Sequence, residues 1–167
     1  MKTSFFILII LSPFAFSPVH TETMCFAGSD CVSLSDAEKI LGEAVLLTEN
    51  GNEEKDKVVR HHCTYTAAQP DATRKTGNLY YLLEEYPDVV AAQRIFSGST
   101  QSNAGMPGQE KISGIGDEAF FQSDERNFHL MMVRKGNKIV RLKVNKVTGK
   151  TSLQALKEVV KNTALTL

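Results

Sequence analysis

The segment 111–121 has residue types that phosphate binding and acid–base catalysis both use, and it reads Lys-Ile-Ser-Gly-Ile-Gly-Asp-Glu-Ala-Phe-Phe. A phosphate-binding glycine loop leads into the N-terminus of a helix, whose free N–H groups hold the anion. Gly114 and Gly116 lead instead into a strand-like stretch, and Asp117 and Glu118 would repel phosphate. These two carboxylates also have no neighbouring motif that would separate their pKa values for catalysis. We therefore predict a structural turn formed by Gly114, Gly116 and Asp117, which delivers a phenylalanine into the core.

A second chemical candidate is His61-His62-Cys63, whose side chains are all of metal-ligand type. Adjacent residues of a strand point to opposite faces, so His61 and His62 cannot share an ion without distortion. A disulfide at Cys63 would remove the third ligand. His129 lies on an apolar strand face, which is typical of a buried core histidine. We therefore predict neither a metal nor a cofactor.

The three cysteines, Cys25, Cys31 and Cys63, allow three different single disulfides. In an exported protein they are expected to be oxidised. A Cys31–Cys63 bond would join the start of the first helix to the first strand and stabilise the fold by roughly 3–4 kcal/mol. A Cys25–Cys31 bond is the alternative, and the residues alone do not choose between them.

The N-terminus has the pattern of a secretory signal peptide, with a basic residue followed by a short apolar run that ends before Pro13. This run is far shorter than the roughly 20 residues that span a bilayer. We predict a signal peptide at residues 1–21 and an exported, periplasmic or secreted protein without a transmembrane anchor. Cys25 is preceded by Glu-Thr-Met rather than by the Leu-small-small triplet of a lipoprotein.

The charges are unevenly distributed along a chain whose formal net charge is zero. Residues 22–125 hold eighteen acidic and eight basic residues, whereas residues 126–167 hold ten basic residues and one acidic residue. The two parts could neutralise each other on folding, or the basic part could bind an anionic partner. We favour the first interpretation and predict no nucleic-acid partner, because nucleic acid is scarce outside the cytoplasm.

Hydrophobic periodicity and capping residues predict the positions of the helices and strands. The first helix starts at the N-cap Ser35, with Glu38 completing a capping box and Val45 on its buried stripe. A polar surface loop follows at residues 48–57, and a further loop is predicted at 99–110. In chain order, the predicted elements are a helix at 35–47, strands at 58–67 and 78–86, a helix at 88–98, a strand at 118–123, strands at 127–135 and 138–147, and a helix at 151–165.

Gly136-Asn137 predicts a two-residue hairpin turn between the last two strands. This register gives one apolar face with the opposite pairs Val133–Val140, Met131–Leu142 and His129–Val144. On the other face, Phe128, Leu130 and Met132 lie opposite Arg141 and Lys143. Such a mixed surface suits an anionic, partly apolar ligand or an acidic protein surface. The alternative is that a helix covers the apolar stripe while the basic groups extend past it to solvent.

Short adjacent strands with hairpin connections predict an α+β domain in which about five antiparallel strands are packed by three helices. We expect a single domain at residues 22–167, with its core at about residues 30–165, which is the size of an ordinary domain.

Four short motifs resemble those of a family of uncharacterised exported bacterial proteins, whose best-known members are actinobacterial cell-envelope lipoproteins with a domain of unknown function. They are DCVSLSDAEKILG, CTY, SGIGDEAFF and VRKGN. The resemblance implies that Cys31 pairs with Cys63 and that Gly114, Gly116, Asp117 and Ala119 form a turn. This chain lacks the lipid-attachment cysteine, so the resemblance does not imply membrane tethering.

The resemblance brings no established activity, and no catalytic fingerprint is recognisable in the sequence. We therefore expect a non-catalytic exported protein that binds a ligand or a protein partner at the bacterial envelope. The alternative is a hydrolase or metal enzyme whose site is assembled from separated residues such as His61, His129 and Asp117.

Overall fold

The computed structural model describes residues 31–70 and 76–167. Its helices are α1 (Leu34–Leu41), α2 (Val89–Ser102) and α3 (Leu153–Thr166). Its strands are β1 (Val45–Lys55), β2 (Val58–Ala67), β3 (Asn78–Glu85), β4 (Gln109–Ile112), β5 (Glu118–Ser123), β6 (Phe128–Lys135) and β7 (Lys138–Asn145). They form one antiparallel sheet in the order β1-β2-β3-β7-β6-β5-β4.

This architecture confirms the α+β class and the three helices, whereas the predicted number of strands is too low. The two additional strands are β1 and β4, one at each edge of the sheet. Residues 1–21 and Cys25 lie outside the described residues, so the signal peptide stays a prediction.

Residues 48–57, predicted as a loop, form most of β1 and its turn into β2. Nearly all side chains of β1 are exposed. A strand with both faces in solvent shows no apolar alternation, so its composition resembles that of a loop. Asp56 and Lys57 make the turn with positive φ angles of 54° and 63°. The register shifts between Leu47 and Glu49, which marks a β-bulge.

α1 begins and ends earlier than predicted. Its N-cap is Ser33 rather than Ser35, and the Ser33 hydroxyl accepts the backbone N–H of Asp36 at 3.1 Å. The helix stops at Gly42, which has a φ of 73° and caps the last turn. Val45 is therefore buried as the first residue of β1 and not as part of a helical stripe.

Residues 99–110, also predicted as a loop, contain the end of α2 and the start of β4. α2 has Asp88 as its N-cap, with the Asp88 carboxylate accepting the backbone N–H of Ala91 at 2.7 Å. β4 has only four residues, which is too short for a periodicity that sequence analysis can recognise.

One face of the sheet packs against α1 and α3 and contains the larger apolar cluster. The predicted hairpin register is confirmed, with the pairs Val133–Val140, Met131–Leu142 and His129–Val144. Gly136 makes its turn with a φ of 58°. The apolar members of these pairs lie in the cluster between the sheet and the two helices.

α2 packs on the opposite face of the sheet, which we call the α2 face. Phe96 contacts Phe120 edge to face, with 5.7 Å between the ring centroids. Met132 and Ile139 lie in the same small apolar cluster. Because α1 and α3 are on the other side, α2 is the only helix of the described chain that covers this face, and it covers only part of it.

Cys31 forms a disulfide with Cys63, with 6.3 Å between the two Cα atoms. The pairing implied by the family resemblance is thus confirmed, and the Cys25–Cys31 alternative is excluded. Cys63 is buried in the larger apolar cluster on β2, whereas Cys31 precedes α1. The bond therefore fastens the start of the first helix to the sheet.

Ion pairs connect the basic C-terminal part of the chain to the acidic part that precedes it. They are Arg134–Asp117, Arg134–Glu118, Arg141–Glu84, Lys138–Glu85 and Lys150–Glu43. Much of the charge asymmetry is therefore neutralised within the fold, which is the first of the two interpretations above.

Candidate functional site

The glycine-containing segment connects β4 to β5. Gly114 and Gly116 have φ angles of 79° and 59°, which favour glycine. The Asp117 carboxylate accepts the Arg134 guanidinium and the backbone N–H of Gly136, both at 2.8 Å. The hydrogen bond from Gly136, together with the charge of Arg134, lowers the pKa of Asp117. Asp117 thus joins two turns and is held in its ionised form, as a structural carboxylate.

His61, His129 and Asp117, the residues of the enzyme alternative, lie at three separate places. His61 is on β2 and its Nδ1 is 2.7 Å from the Asn52 side-chain oxygen. His129 is on β6, three strands away, which corresponds to about 14 Å across the sheet. Asp117 lies beside the β6–β7 turn, at the opposite end of β6 from His129. In the described part of the chain, moreover, no three potential ligands are grouped to hold a metal ion.

Ser123 forms a pair with His129 that no sequence motif predicts. The Ser123 oxygen is 2.8 Å from Nδ1 of His129. A nucleophilic serine must give its proton to the histidine, but the Ser123 hydroxyl donates to the Phe128 carbonyl at 3.0 Å. It also accepts the backbone N–H of Glu125, and its side chain is buried. The pair therefore supports the β5–β6 turn and has no free proton for catalysis.

The predicted ligand surface lies where α2 leaves its face of the sheet uncovered. Leu130 on β6 is opposite Lys143 on β7, which in turn is opposite Tyr80 on β3. Phe128 and Leu130 are half-buried, and Tyr80 is 37% exposed. These three strands therefore present a mixed apolar and cationic surface to solvent.

The next row of the same face contains Met132, Arg141 and Leu82 on neighbouring strands. Met132 is only 1% exposed, so it supports the surface from below and offers no contact to a ligand. Arg141 and Leu82 are partly accessible. We call the accessible surface the open face, and it consists of Tyr80, Leu82, Phe128, Leu130, Arg141 and Lys143.

Arg141 is held by a carboxylate that it shares with a second arginine. Glu84 is buried and accepts hydrogen bonds from Nη1 of Arg141 and, at 3.0 Å, from Nε of Arg60. Burial and the charge of Arg60 lower the pKa of Arg141 to about 10, so Arg141 stays positively charged at neutral pH. Two guanidinium groups thus share one buried carboxylate, although Arg60 also pairs with the exposed Glu53.

Most hydrogen-bond donors of Arg141 are not used by the residues that the structure describes. A guanidinium group has five N–H donors, and among the described residues Arg141 donates only to Glu84. The group is therefore fixed on one side by Glu84 and can donate on the other side to an anion. Charge-assisted hydrogen bonds of this kind are the strong ones.

Lys143 provides the second cation of the open face. It is exposed, and its Nζ atom lies 5.6 Å from the centroid of the Phe128 ring. This distance is within the range of a cation–π contact, which orients the ammonium group over the apolar part of the surface. Cationic and apolar groups are thus in direct contact here.

The hairpin register predicts the β6 and β7 members of this surface but not Tyr80, Leu82 or Glu84. The alternation in β3 places these three residues on one face, but it does not show which strand lies beside them. The neighbour is β7, more than fifty residues later in the chain, and hydrophobic periodicity carries no information about that pairing.

No family model matches the chain, and comparisons with curated proteins and with solved structures give no match. The resemblance to exported bacterial proteins therefore stays a prediction.

Proposed function

We propose that this chain is an exported, non-catalytic protein of the bacterial envelope that binds an anionic amphiphile on its open face. The observation that supports this most directly is the Arg141 guanidinium, which Glu84 fixes on one side and which retains donors for an anion. A partly buried cation with unused donors is unusual in a surface that has only a structural role.

The two parts of such a ligand match two parts of the open face. An anionic head group accepts hydrogen bonds from Arg141 and Lys143. An apolar tail lies on Leu130, Phe128 and Tyr80 and removes their apolar surface from water. Because the head group brings a negative charge beside Arg141, it also offsets the repulsion between Arg141 and Arg60.

The proposed location agrees with two observations. A disulfide is typical of an oxidising compartment outside the cytoplasm. In addition, no helix among the described residues is long and apolar enough to cross a membrane.

The test is a titration of the mature, disulfide-bonded protein with octyl phosphate, followed by calorimetry or by amide NMR shifts. Octyl glucoside and inorganic phosphate serve as probes that keep only the tail or only the head group. We expect octyl phosphate to bind more tightly than either of them. Equal binding of octyl glucoside would show that charge has no role and would contradict the proposal.

Lys143→Met is the appropriate variant, because Lys143 is exposed and makes no ion pair with another described residue. We expect its Kd for octyl phosphate to rise by about tenfold, which corresponds to the loss of one charge-assisted contact. Lys161→Met, at an exposed lysine on α3, is the matched control and should bind like the wild type. The same loss of affinity in both variants would indicate only non-specific attraction to the net charge.

A further inference from the structure

A concave site, separate from the open face, lies on the α2 face between α2 and the strands β4 and β5. It has a volume of about 310 Å³, which is at the lower end of the range of ligand pockets. Its lining residues are Phe96, Thr100, Gln109, Lys111, Glu118, Ala119 and Phe120. It shares none of them with the open face, so the two surfaces can be tested separately.

The floor of this cleft is aromatic and one of its ends is closed. Phe96 and Phe120 meet edge to face at 5.7 Å between centroids, with an angle of 71° between their planes. The side-chain amide of Gln109 donates to the Thr100 carbonyl at 3.2 Å, which bridges β4 and α2. The cleft is thus a preformed space with an apolar base rather than a flat surface.

Glu118 provides a negative charge at this cleft. Its Oε2 atom accepts Nε of Arg134 at 2.6 Å. Arg134 also binds Asp117 at 2.8 Å, so one guanidinium group serves two carboxylates. The group of three residues has a net charge of −1, and the second oxygen of Glu118 is not used by Arg134.

Lys111, on the neighbouring strand β4, provides a positive charge at the same cleft. It is exposed and has no ion-pair partner among residues 31–70 and 76–167. In the strand register Lys111 is opposite Phe120, so Glu118 is its diagonal neighbour on the same face, at roughly 7–8 Å between Cα atoms. Glu118 is paired with Arg134 and not with Lys111. An ammonium and a carboxylate therefore lie on the same face of two adjacent strands, beside the aromatic floor, and each has unused hydrogen-bonding capacity.

We propose that this cleft is a second ligand site, specific for a free α-amino acid with an apolar side chain. The ligand's ammonium group donates to the second oxygen of Glu118, and its carboxylate accepts from Lys111. Its side chain occupies the space that Phe96 and Phe120 line, where only small parts of the two rings, 5% and 2% exposed, are accessible. A ligand with one charge only leaves either Lys111 or the second oxygen of Glu118 without a partner, so both charges contribute to selectivity.

The test is an amide NMR titration of the mature protein with L-phenylalanine, for which a Kd on the order of 1 mM is expected from the small size of the ligand. We expect shifts at residues 109–111 and 118–120. Phenylacetate and phenethylamine, which keep only the negative or only the positive charge, should bind at least about fivefold more weakly. Equal binding of phenethylamine, or no shifts at saturating phenylalanine, would overturn the proposal.

Lys111→Met tests the same site without endangering the fold, because Lys111 is an exposed residue of an edge strand. We expect it to abolish the response to L-phenylalanine. Lys161→Met, at an exposed lysine of α3 outside both surfaces, is the matched control and should respond like the wild type. A Lys111→Met protein that still binds L-phenylalanine with unchanged affinity would also overturn the proposal.

Discussion

Glu84 on β3 binds Arg141 on β7, a residue 57 positions later in the chain. The same carboxylate binds Arg60 on β2, so one buried acidic group connects three neighbouring strands. Arg141 therefore has a structural role as well as its proposed role in ligand binding. Substituting Arg141 would leave Glu84 with one partner fewer in a buried place, and for this reason Lys143 is the better residue for binding experiments.

The shared carboxylate predicts a large effect for Glu84→Gln. The variant leaves Arg60 and Arg141 close together without the buried negative charge, and we expect a loss of about 3 kcal/mol in the free energy of unfolding. Urea denaturation followed by circular dichroism measures it. Glu85→Gln is the matched control, because Glu85 is 49% exposed and its Oε2 atom makes only a long ion pair with Nζ of Lys138, at 3.7 Å. We expect this variant to lose less than about 1 kcal/mol in the free energy of unfolding. Equal losses in the two variants would show that Glu84 has no special role.

The turn between β4 and β5 offers a comparison of two glycines. Both have positive φ, but a Cβ atom at Gly116 would lie 2.6 Å from the Arg134 carbonyl oxygen, whereas at Gly114 it would meet nothing within 4 Å. Gly114→Ala should therefore lower the free energy of unfolding by about 1 kcal/mol, from backbone strain alone. Gly116→Ala adds a steric clash with the backbone of β6 and should cost about 3 kcal/mol. Unfolding experiments that give the same loss for both alanines would contradict this assignment.

His129 predicts an acid-dependent loss of stability. Burial lowers its pKa below the ordinary 6.5, and the charges of Asp124 and Glu125 oppose this only in part. The unfolded chain therefore binds a proton at His129 more readily than the folded chain. The stabilising contribution is complete above pH 6.5 and decreases as the pH falls from 6.5 towards the folded-state pKa.

Urea denaturation at pH 7.5 and at pH 5 measures this effect. We expect a smaller difference between the two pH values in a His129→Gln variant than in the wild type. The lowered pKa of Asp117 does not interfere, because its contribution is lost only below the ordinary carboxyl value of 3.8. An unchanged difference in His129→Gln would assign the acid sensitivity to other groups.

Local patterns predicted the parts of the fold that depend on neighbouring residues. The register of the β6–β7 hairpin follows from the turn at Gly136-Asn137 and from alternation, and the structure has these same pairs. The sequence does not predict β1, because an edge strand in solvent needs no apolar alternation. It predicts too long an α1, because the apolar residues after Gly42 continue a helical pattern by chance.

The candidate site was predictable only in part, because it combines distant segments. Phe128, Leu130 and Lys143 belong to one hairpin, so their proximity follows from the hairpin register. Two other features depend on how the whole chain packs: β3 lies beside β7, and α2 covers Met132.

The bulge between Leu47 and Glu49 has a consequence for how copies of this protein meet in a crowded compartment. A strand of another molecule that pairs with β1 on one side of the bulge would have the wrong hydrogen-bond register on the other side. The acidic side chains of β1 that follow the bulge also repel the same edge of another copy. The opposite edge, β4, is only four residues long. The bulge and the acidic residues of β1, together with the shortness of β4, therefore disfavour pairing of either edge with the same edge of another copy.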